Sequence, residues 1–374
     1  MHKRVEVIHC AETIKGGVAS YLRELLPLQV FDFGWGCVVL LIPASQQDDL
    51  PSIPGVRFET FNDKGYRFFV AFRLAIKLLM LVRLYSPRVL HIHSTFAGAS
   101  VRPLFAIINR SVKVVYCPHG WAWDRSMSKF GKFLTCFLER GFAHITDKIV
   151  CISEYERRTA IEVGLPENKL IVVRNAISLT SPIASPIFDS VWPESVRRVL
   201  FIGRFDRQKG FDILLEALTL LGGSVHAVIA GAPVRGDEVE RKIPVNATCV
   251  GWVSPNILET LLQNAQILVV PSRWEGFGLV ALEAMRSGVP VIASSVGGLP
   301  EVVDHDVTGI VIKPCSPVAL ANAILSRTDL QLRDMGKMGR KRVRDFFSID
   351  RLHEELCVVY ESELSRNKKI LKKH

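Results

Sequence analysis

Several features that would assign a chemistry at once are missing from this chain. Its eight cysteines (Cys10, Cys37, Cys117, Cys136, Cys151, Cys249, Cys315 and Cys357) include no Cys-x-x-Cys pair. Several lie inside apolar runs, as in Ile149-Val150-Cys151, so they read as buried free thiols in a reducing compartment and not as metal ligands. Gly-x-Gly-x-x-Gly is absent, which removes the dinucleotide fingerprint. No helix-turn-helix, zinc finger or aromatic platform for single strands occurs, so nucleic acid is set aside as a partner. The N-terminus enters a strand pattern directly, without the layout of a signal peptide. No apolar run is clean enough to cross a bilayer: the most apolar stretch, Tyr66–Tyr85, is interrupted by Arg67, Arg73, Lys77 and Arg83.

What is present describes a globular protein of two domains. At 374 residues, 48% hydrophobic and 22% charged, the chain can bury two full cores. The net charge of +10 is concentrated, since residues 60–150 hold 14 Lys/Arg against four acids and account for all of it. By charge alone, so local a basic surface predicts an anionic partner for one domain: a phospholipid surface, a lipid pyrophosphate or nucleic acid. Tyr66–Tyr85 belongs to that window and carries two readings. It is either a buried domain helix or a helix lying on a membrane with its basic residues at headgroup level. Arg102 and the cluster Arg125, Lys129, Lys132 and Arg140 would extend the basic face.

Short apolar runs alternate with helical patterns along the chain. Strand patterns stand at 3–9, 37–42, 56–60, 89–93, 112–117, 148–153 and 170–173, then at 198–202, 225–230, 249–253, 267–270 and 289–293. Helical stretches between them imply βαβ units and parallel sheets. Residues 178–193, rich in serine and proline, read as the linker. Asp237, Glu238 and Glu240 read as a solvated helix face, and the basic tail 366–374 as disordered.

Four junctions carry candidate chemistry. Gly16 and Gly17 follow the first strand, where a backbone without Cβ atoms admits close approach of a ligand. His91-Ile92-His93 ends a strand, and structural packing is favoured there over a metal site. His119-Gly120 follows another strand end, the place where open α/β sheets hold ligands. The neighbouring Trp121 and Trp123 form either a stacking platform for an acceptor sugar or part of a core. Arg204 and Lys209 lie five residues apart on a loop before a helix, so a guanidinium fork and an ammonium point charge can reach one pyrophosphate.

The most informative stretch runs from Ile267 to Val303. An apolar strand closes at Pro271, a loop Ser272–Gly278 follows, and a helical pattern then ends at Gly288. A second strand leads to Gly297-Gly298-Leu299-Pro300-Glu301. Helix starts after glycine turns present unpaired N–H groups to anionic oxygens. Glu275 and Glu283 bracket the first of them. Glycosidase carboxyls sit about 5–9.5 Å apart, whereas eight residues of helix span roughly 12 Å, which disfavours hydrolysis. By spacing alone, Glu275 as a helix cap with Glu283 solvated is as good a reading as a pair that accepts hydrogen bonds from ligand hydroxyls.

Glu275-Gly276-Phe277-Gly278, Glu283 and Gly297-Gly298-x-Pro300-Glu301 resemble the paired-glutamate signature of glycosyltransferase family 4. Arg204 and Lys209 are similar to that family's diphosphate-binding cations, while Arg174-Asn175-Ala176 departs from its usual Pro-Asn-Gly. The resemblance implies a GT-B fold: α/β, with two Rossmann-like domains facing a central cleft and a C-terminal helix crossing back to the first. The domains would then be 1–180 with helix 347–365, binding acceptor, and 190–346, binding the nucleotide sugar.

It further implies retaining transfer from a nucleoside diphosphate sugar to a saccharide or lipid-linked acceptor, as in bacterial surface polysaccharide assembly. Arg204, Lys209 and the helix start at Gly276, Phe277, Gly278 and Leu279 would hold the diphosphate, and Glu283 the ribose. Glu275 would hold the sugar, His119 would lie near the reacting carbon, and Trp252 and Val253 would receive the base. Gly16 and Gly17 would face the donor phosphates. Neither metal nor other cofactor is expected. The setting would be cytoplasmic, at the inner membrane face, with residues 60–150 on anionic lipid. A GT-B epimerase is the alternative, with a basic nucleic-acid-binding protein behind it.

Overall fold

A computed structural model describes residues 4–14, 16–108, 112–125, 127–185, 191–233 and 242–371. The chain divides into two compact units, Met1–Ala176 with Ile349–His374, and Ile177–Ser348.

The first unit begins with β1 (Val7–Ala11), α1 (Gly17–Phe33), β2 (Val38–Pro43), β3 (Val56–Phe61) and α2 (Arg67–Tyr85). It continues with β4 (Val89–His93), α3 (Thr95–Ile108), β5 (Lys113–Cys117), α4 (Lys129–His144), β6 (Lys148–Cys151), α5 (Glu154–Glu162) and β7 (Leu170–Val172). The seven strands form one parallel sheet in the order β3-β2-β1-β4-β5-β6-β7. β1, β2, β4 and β5 are buried along their whole length. Near-continuous apolar strands of this kind need cover on both faces, which crossover helices supply. Ile8, Leu41, Leu90, Ile92, Phe105, Tyr116 and Trp121 lie in one core cluster of this unit.

The second unit runs β8 (Arg197–Ile202), α6 (Phe211–Leu221), β9 (Val225–Ala230), β10 (Ala247–Gly251), α7 (Pro255–Asn264) and β11 (Ile267–Val270). It ends with α8 (Leu279–Arg286), β12 (Val291–Ser294), α9 (Leu299–Val302), β13 (Gly309–Ile312), α10 (Pro317–Leu325) and α11 (Asp329–Phe346). Its six parallel strands are ordered β10-β9-β8-β11-β12-β13. The last helix, α12 (Ile349–Leu371), belongs to the first unit and packs on α1. In both sheets the strand order reverses once, between β1 and β4 and between β8 and β11, and ligands bind beyond the carboxyl ends of strands at such points.

Several expectations change. The helix expected within Tyr66–Tyr85, α2, is not simply buried: Val70, Leu74, Leu78, Leu81 and Val82 face the core, while Phe68, Phe69, Phe72, Met80 and Leu84 are exposed. Arg102 does not extend the basic surface. It is buried in α3, with Nη2 2.8 Å from each carboxylate oxygen of Glu139 on α4. Its guanidinium also lies 3.9 Å from the centre of the Tyr116 ring. The C-terminal tail is helical to Leu371, beyond the end expected from the apolar pattern. Cys249 and Cys315 are exposed, unlike Cys10, Cys37, Cys117 and Cys151. Asp237, Glu238, Glu240 and residues 186–190 of the expected linker lie outside the described residues. Among the described residues no helix is long and apolar enough to cross a membrane.

Candidate active site

In the second unit the predicted cations and one predicted carboxylate converge at the β8/β11 reversal. β8 ends at Ile202, and the loop that begins at Gly203 is braced from within. Asp206 accepts a hydrogen bond from the Lys209 amide at 2.9 Å and pairs with Arg204 at 3.1 Å. Arg204 also donates to Gln208 Oε1 at 2.8 Å, with its side chain still 44% exposed and open to a ligand. Lys209 Nζ lies 2.5 Å from Glu275 Oε2, a charge-assisted contact between the two loops that is largely shielded from solvent. Ser272 Oγ donates to the same oxygen at 3.4 Å.

Two further contacts hold the loop after β11 in place. Arg273 forms a two-pronged ion pair with Asp212 of α6, at 2.7 and 2.6 Å, and its amide donates to Gln208 O at 2.8 Å. Gly210, at φ 67, passes so close to Pro271 that a Cβ there would stand 2.0 Å from its carbonyl oxygen. Gly278 takes the N-cap of α8 at φ 91 and ψ 57 without any side-chain cap. Glu275 is therefore the partner of Lys209 and not a helix cap. The first amides of α8, at Leu279 and Val280, begin directly after Gly276-Phe277-Gly278. Phe277 is buried against Phe347, with ring centres 5.8 Å apart.

Glu283 lies further along α8 and is half-buried. Trp252 stands 64% exposed just past β10, beside the partly buried Val253. Gly297 and Gly298 back the Glu275 loop, and the Gly298 amide donates to Gly276 O at 3.2 Å.

The first unit holds the remaining candidates at the ends of β1, β4 and β5. Gly16 caps α1 at φ 62 and ψ −134, a region open essentially to glycine alone, and a Cβ there would meet open space. Gly17 starts the helix and is exposed. His119 adopts φ 52, unusual for a residue with a side chain. Its Nε2 lies 2.9 Å from His93 Nδ1, His93 Nε2 lies 2.9 Å from His9 Nδ1, and His9 Nε2 lies 2.7 Å from Gln29 Oε1.

Desolvation lowers the His119 pKa to about 3 and that of His9 to about 4, and holds His91 and His93 well below the usual range. All four imidazoles are thus neutral near neutral pH. His9, His91 and His93 are close enough to share an ion. However, His9 and His93 face each other at 2.9 Å through nitrogens already joined by a hydrogen bond, whereas two nitrogens on one zinc stand about 3.4 Å apart.

The tryptophan platform is a correction. Trp121 and Trp123 are 1% and 3% exposed and stack on each other at 4.2 Å, and Trp121 Nε1 donates to Glu156 O. Neither indole offers a face to a sugar; both pack in the core that holds the His119 loop.

Sequence reasoning missed Glu156, whose buried carboxylate accepts from the amides of Gly120 at 2.6 Å and Ile152 at 2.9 Å. The signal was present in Ser153-x-x-Glu156, a capping-box pattern in which Ser153 does cap α5. It also passed over Asp304-His305-Asp306, the one stretch here with Asp-x-Asp spacing. Asp306 pairs with Arg327 at 2.6 Å, and Asp304 lies 3.7 Å from Arg342, so both acids face arginines.

Two parallel Rossmann-like sheets, each with candidate loops at its strand ends, define the GT-B fold. Solved structures agree on the fold. Sucrose-phosphate synthase from Thermosynechococcus elongatus matches with a TM-score of 0.81 and 22% identity, over 96% of this chain and 100% of that one. Anabaena HepE in complex with UDP-glucose matches with a TM-score of 0.78 and 17% identity, over 96% of this chain and 99% of that one.

Residues 15–181 match the family model described as Glycosyltransferase Family 4, and residues 185–342 the one described as Glycosyl transferases group 1. A 41.2 kDa protein of the cps region of Klebsiella pneumoniae is 35% identical over 326 residues, 82% of this chain and 86% of that protein. The chain belongs to glycosyltransferase family 4.

Proposed function

We propose that this glycosyltransferase moves a sugar from a nucleoside diphosphate sugar, with retention of configuration, to a saccharide or lipid-linked acceptor in surface polysaccharide assembly. The observation that carries the donor half is the pairing of Lys209 with Glu275 at the β8/β11 reversal, beside the exposed Arg204. In the transition state the bond from the anomeric carbon to the diphosphate oxygen breaks and negative charge grows on the leaving group. Arg204, Lys209 and the first amides of α8 stabilise that charge, so no metal is required. The acceptor hydroxyl attacks from the same face, and a departing phosphate oxygen takes its proton. Glu275 and Glu283 accept hydrogen bonds from sugar and ribose hydroxyls. His119 contacts the donor sugar, Trp252 and Val253 receive the base, and Gly16 and Gly17 admit the phosphates.

The acceptor half rests on the first unit. α2 and α4 both pack against α3. They expose Phe68, Phe69, Phe72, Phe130, Phe133 and Phe137 among basic residues that include Arg83, Lys129 and Lys132. An apolar face rimmed by cations suits the headgroup region of an anionic membrane, which supports a lipid-linked acceptor at the cytoplasmic face. The cps location of the Klebsiella relative points the same way.

Melting shifts with UDP, GDP, ADP and TDP should identify one nucleotide that stabilises the parent, with the shift lost in Arg204→Ala and Lys209→Ala. Variants that bind it like the parent refute the donor site. Sedimentation with phosphatidylglycerol vesicles at low salt should pull the protein down, and a fully soluble protein counts against the membrane reading. Conversion of donor without acceptor would instead identify an epimerase.

A further inference from the structure

The hydrogen-bonded row of histidines in the first unit has a direction, and that direction decides what His119 offers a ligand. All the histidines in it are neutral, so each ring has one N–H and one bare nitrogen. The row ends at Gln29, a buried residue of α1 whose Oε1 stands 2.7 Å from His9 Nε2. An amide oxygen only accepts, so His9 Nε2 carries the proton and His9 Nδ1 is bare. His93 Nε2, 2.9 Å from that bare nitrogen, must donate, which leaves His93 Nδ1 bare. His119 Nε2, 2.9 Å from His93 Nδ1, must donate in turn.

His119 Nδ1 is then a bare acceptor, with no partner among the described residues. Tyr21 packs edge-on against the His119 ring, with ring centres 4.8 Å apart. The other end of the amide is also engaged. Gln29 Nε2 donates to Tyr360 Oη of α12 at 3.5 Å, and Tyr360 Oη lies 2.7 Å from His91 Nδ1.

Turning the Gln29 amide over would reverse every proton in the row and make His119 Nδ1 a donor. Two facts oppose that. The short contact, 2.7 Å, is the one from oxygen to His9, and the direction it implies gives His9, His93 and His119 the Nε2–H tautomer that neutral histidine ordinarily prefers.

We propose that Gln29 is a positioning residue that sets the tautomer of His119 through His9 and His93, so that His119 presents a bare Nδ1 to a hydroxyl-bearing ligand. This rests on the reading that His119 contacts the donor sugar. It specifies which sugar group is recognised: a hydroxyl that donates, not an oxygen that accepts.

The test is NMR of full-length protein labelled with 15N-histidine, without substrate, because bare and protonated ring nitrogens resonate far apart. The parent should show His119 with Nε2 protonated and Nδ1 bare. Gln29→Leu should split the His119 signals into two tautomers, while Tyr360→Phe, which leaves the contact to His9 intact, should not. A parent with Nδ1 protonated overturns the proposal even if Gln29→Leu fails to fold. So does a folded Gln29→Leu protein with the parent's His119 spectrum. Because no substrate is present, either result stands apart from whether His119 acts on a sugar, which the turnover of His119→Ala reports.

Discussion

Gly297→Ala should disable the protein with little change in its chemistry. A Cβ at Gly297 would lie 1.7 Å from the carbonyl oxygen of Glu275 and 2.8 Å from its carbonyl carbon. Relaxed carbon–oxygen contacts are about 3.3 Å, so the Glu275 loop or the glycine turn must move by roughly 1.5 Å. The backbone, at φ 55, adds about 1–2 kcal/mol for a residue with a side chain. The loop cannot move freely, because Arg273 is clamped to Asp212 and Lys209 to Glu275. Under the proposed reading Glu275 holds the donor sugar, and displacing that carboxylate by an ångström lowers turnover by about 10²-fold.

Gly222→Ala is the control. Its backbone, at φ 56 and ψ −143, is at least as unfavourable for alanine, yet nothing lies within 4 Å of the new Cβ. Release of nucleoside diphosphate at saturating donor, measured with denaturation midpoints for both variants, separates strain from displacement. Both should lose stability, and only Gly297→Ala should lose turnover. If Gly297→Ala turns over like the parent, the coupling between this turn and Glu275 is wrong.

Two further outcomes concern the first unit. Arg102→Met strands the Glu139 carboxylate in the core and should cost about 3–5 kcal/mol, whereas Arg102→Met with Glu139→Met should cost much less than the two single changes together; urea unfolding with a signal from the first unit reads both, and simple additivity contradicts the buried pair. The histidine row should make the fold acid-sensitive. His9 titrates at about 4 and His119 at about 3 when folded but near 6.5 when unfolded, so the unfolded chain binds more protons as pH falls below that value. Stability is complete above about pH 6.5 and declines below it by about 1.4 kcal/mol per pH unit for each such histidine. Denaturant midpoints between about pH 6.5 and pH 5, above the ordinary carboxylate range, should therefore fall, and a flat profile would mean these rings are protonated in the fold.

The second unit was the more legible from sequence because its chemistry is local. Arg204 and Lys209 share one loop, Glu275 and Glu283 share one loop and helix, and apolar runs at Val199–Phe201 and Ile267–Val270 announce the strands that aim them. The first unit hides its chemistry in partners far apart along the chain. Gln29 looks like any polar residue in a helix, and only the folding of α1 back over β1 brings it to His9. Arg102 and Glu139 are 37 residues apart, and neither differs in sequence from a surface charge. Trp121 and Trp123 stand beside a ligand-type loop, but proximity in sequence does not say which way an indole faces. α2 illustrates the same limit: its pattern shows no polar face, so sequence cannot tell a helix wrapped in core from one with an uncovered apolar side.

The pairing of Lys209 with Glu275 bears on how donor selection works under the proposed reading. The ammonium that grips a phosphate under that reading has a carboxylate at 2.5 Å in a mostly buried setting. A nucleoside diphosphate that drew Lys209 away would leave that carboxylate with Ser272 alone, and an unpartnered buried charge is costly. A diphosphate that also carries a sugar supplies hydroxyl donors for Glu275, so the carboxylate released by the cation is satisfied by the very group to be transferred. Under that reading the same ion pair should weaken binding of product relative to donor. The sugar matters because Glu275 needs its hydroxyls once Lys209 has turned to phosphate, which ties recognition of one half of the donor to that of the other.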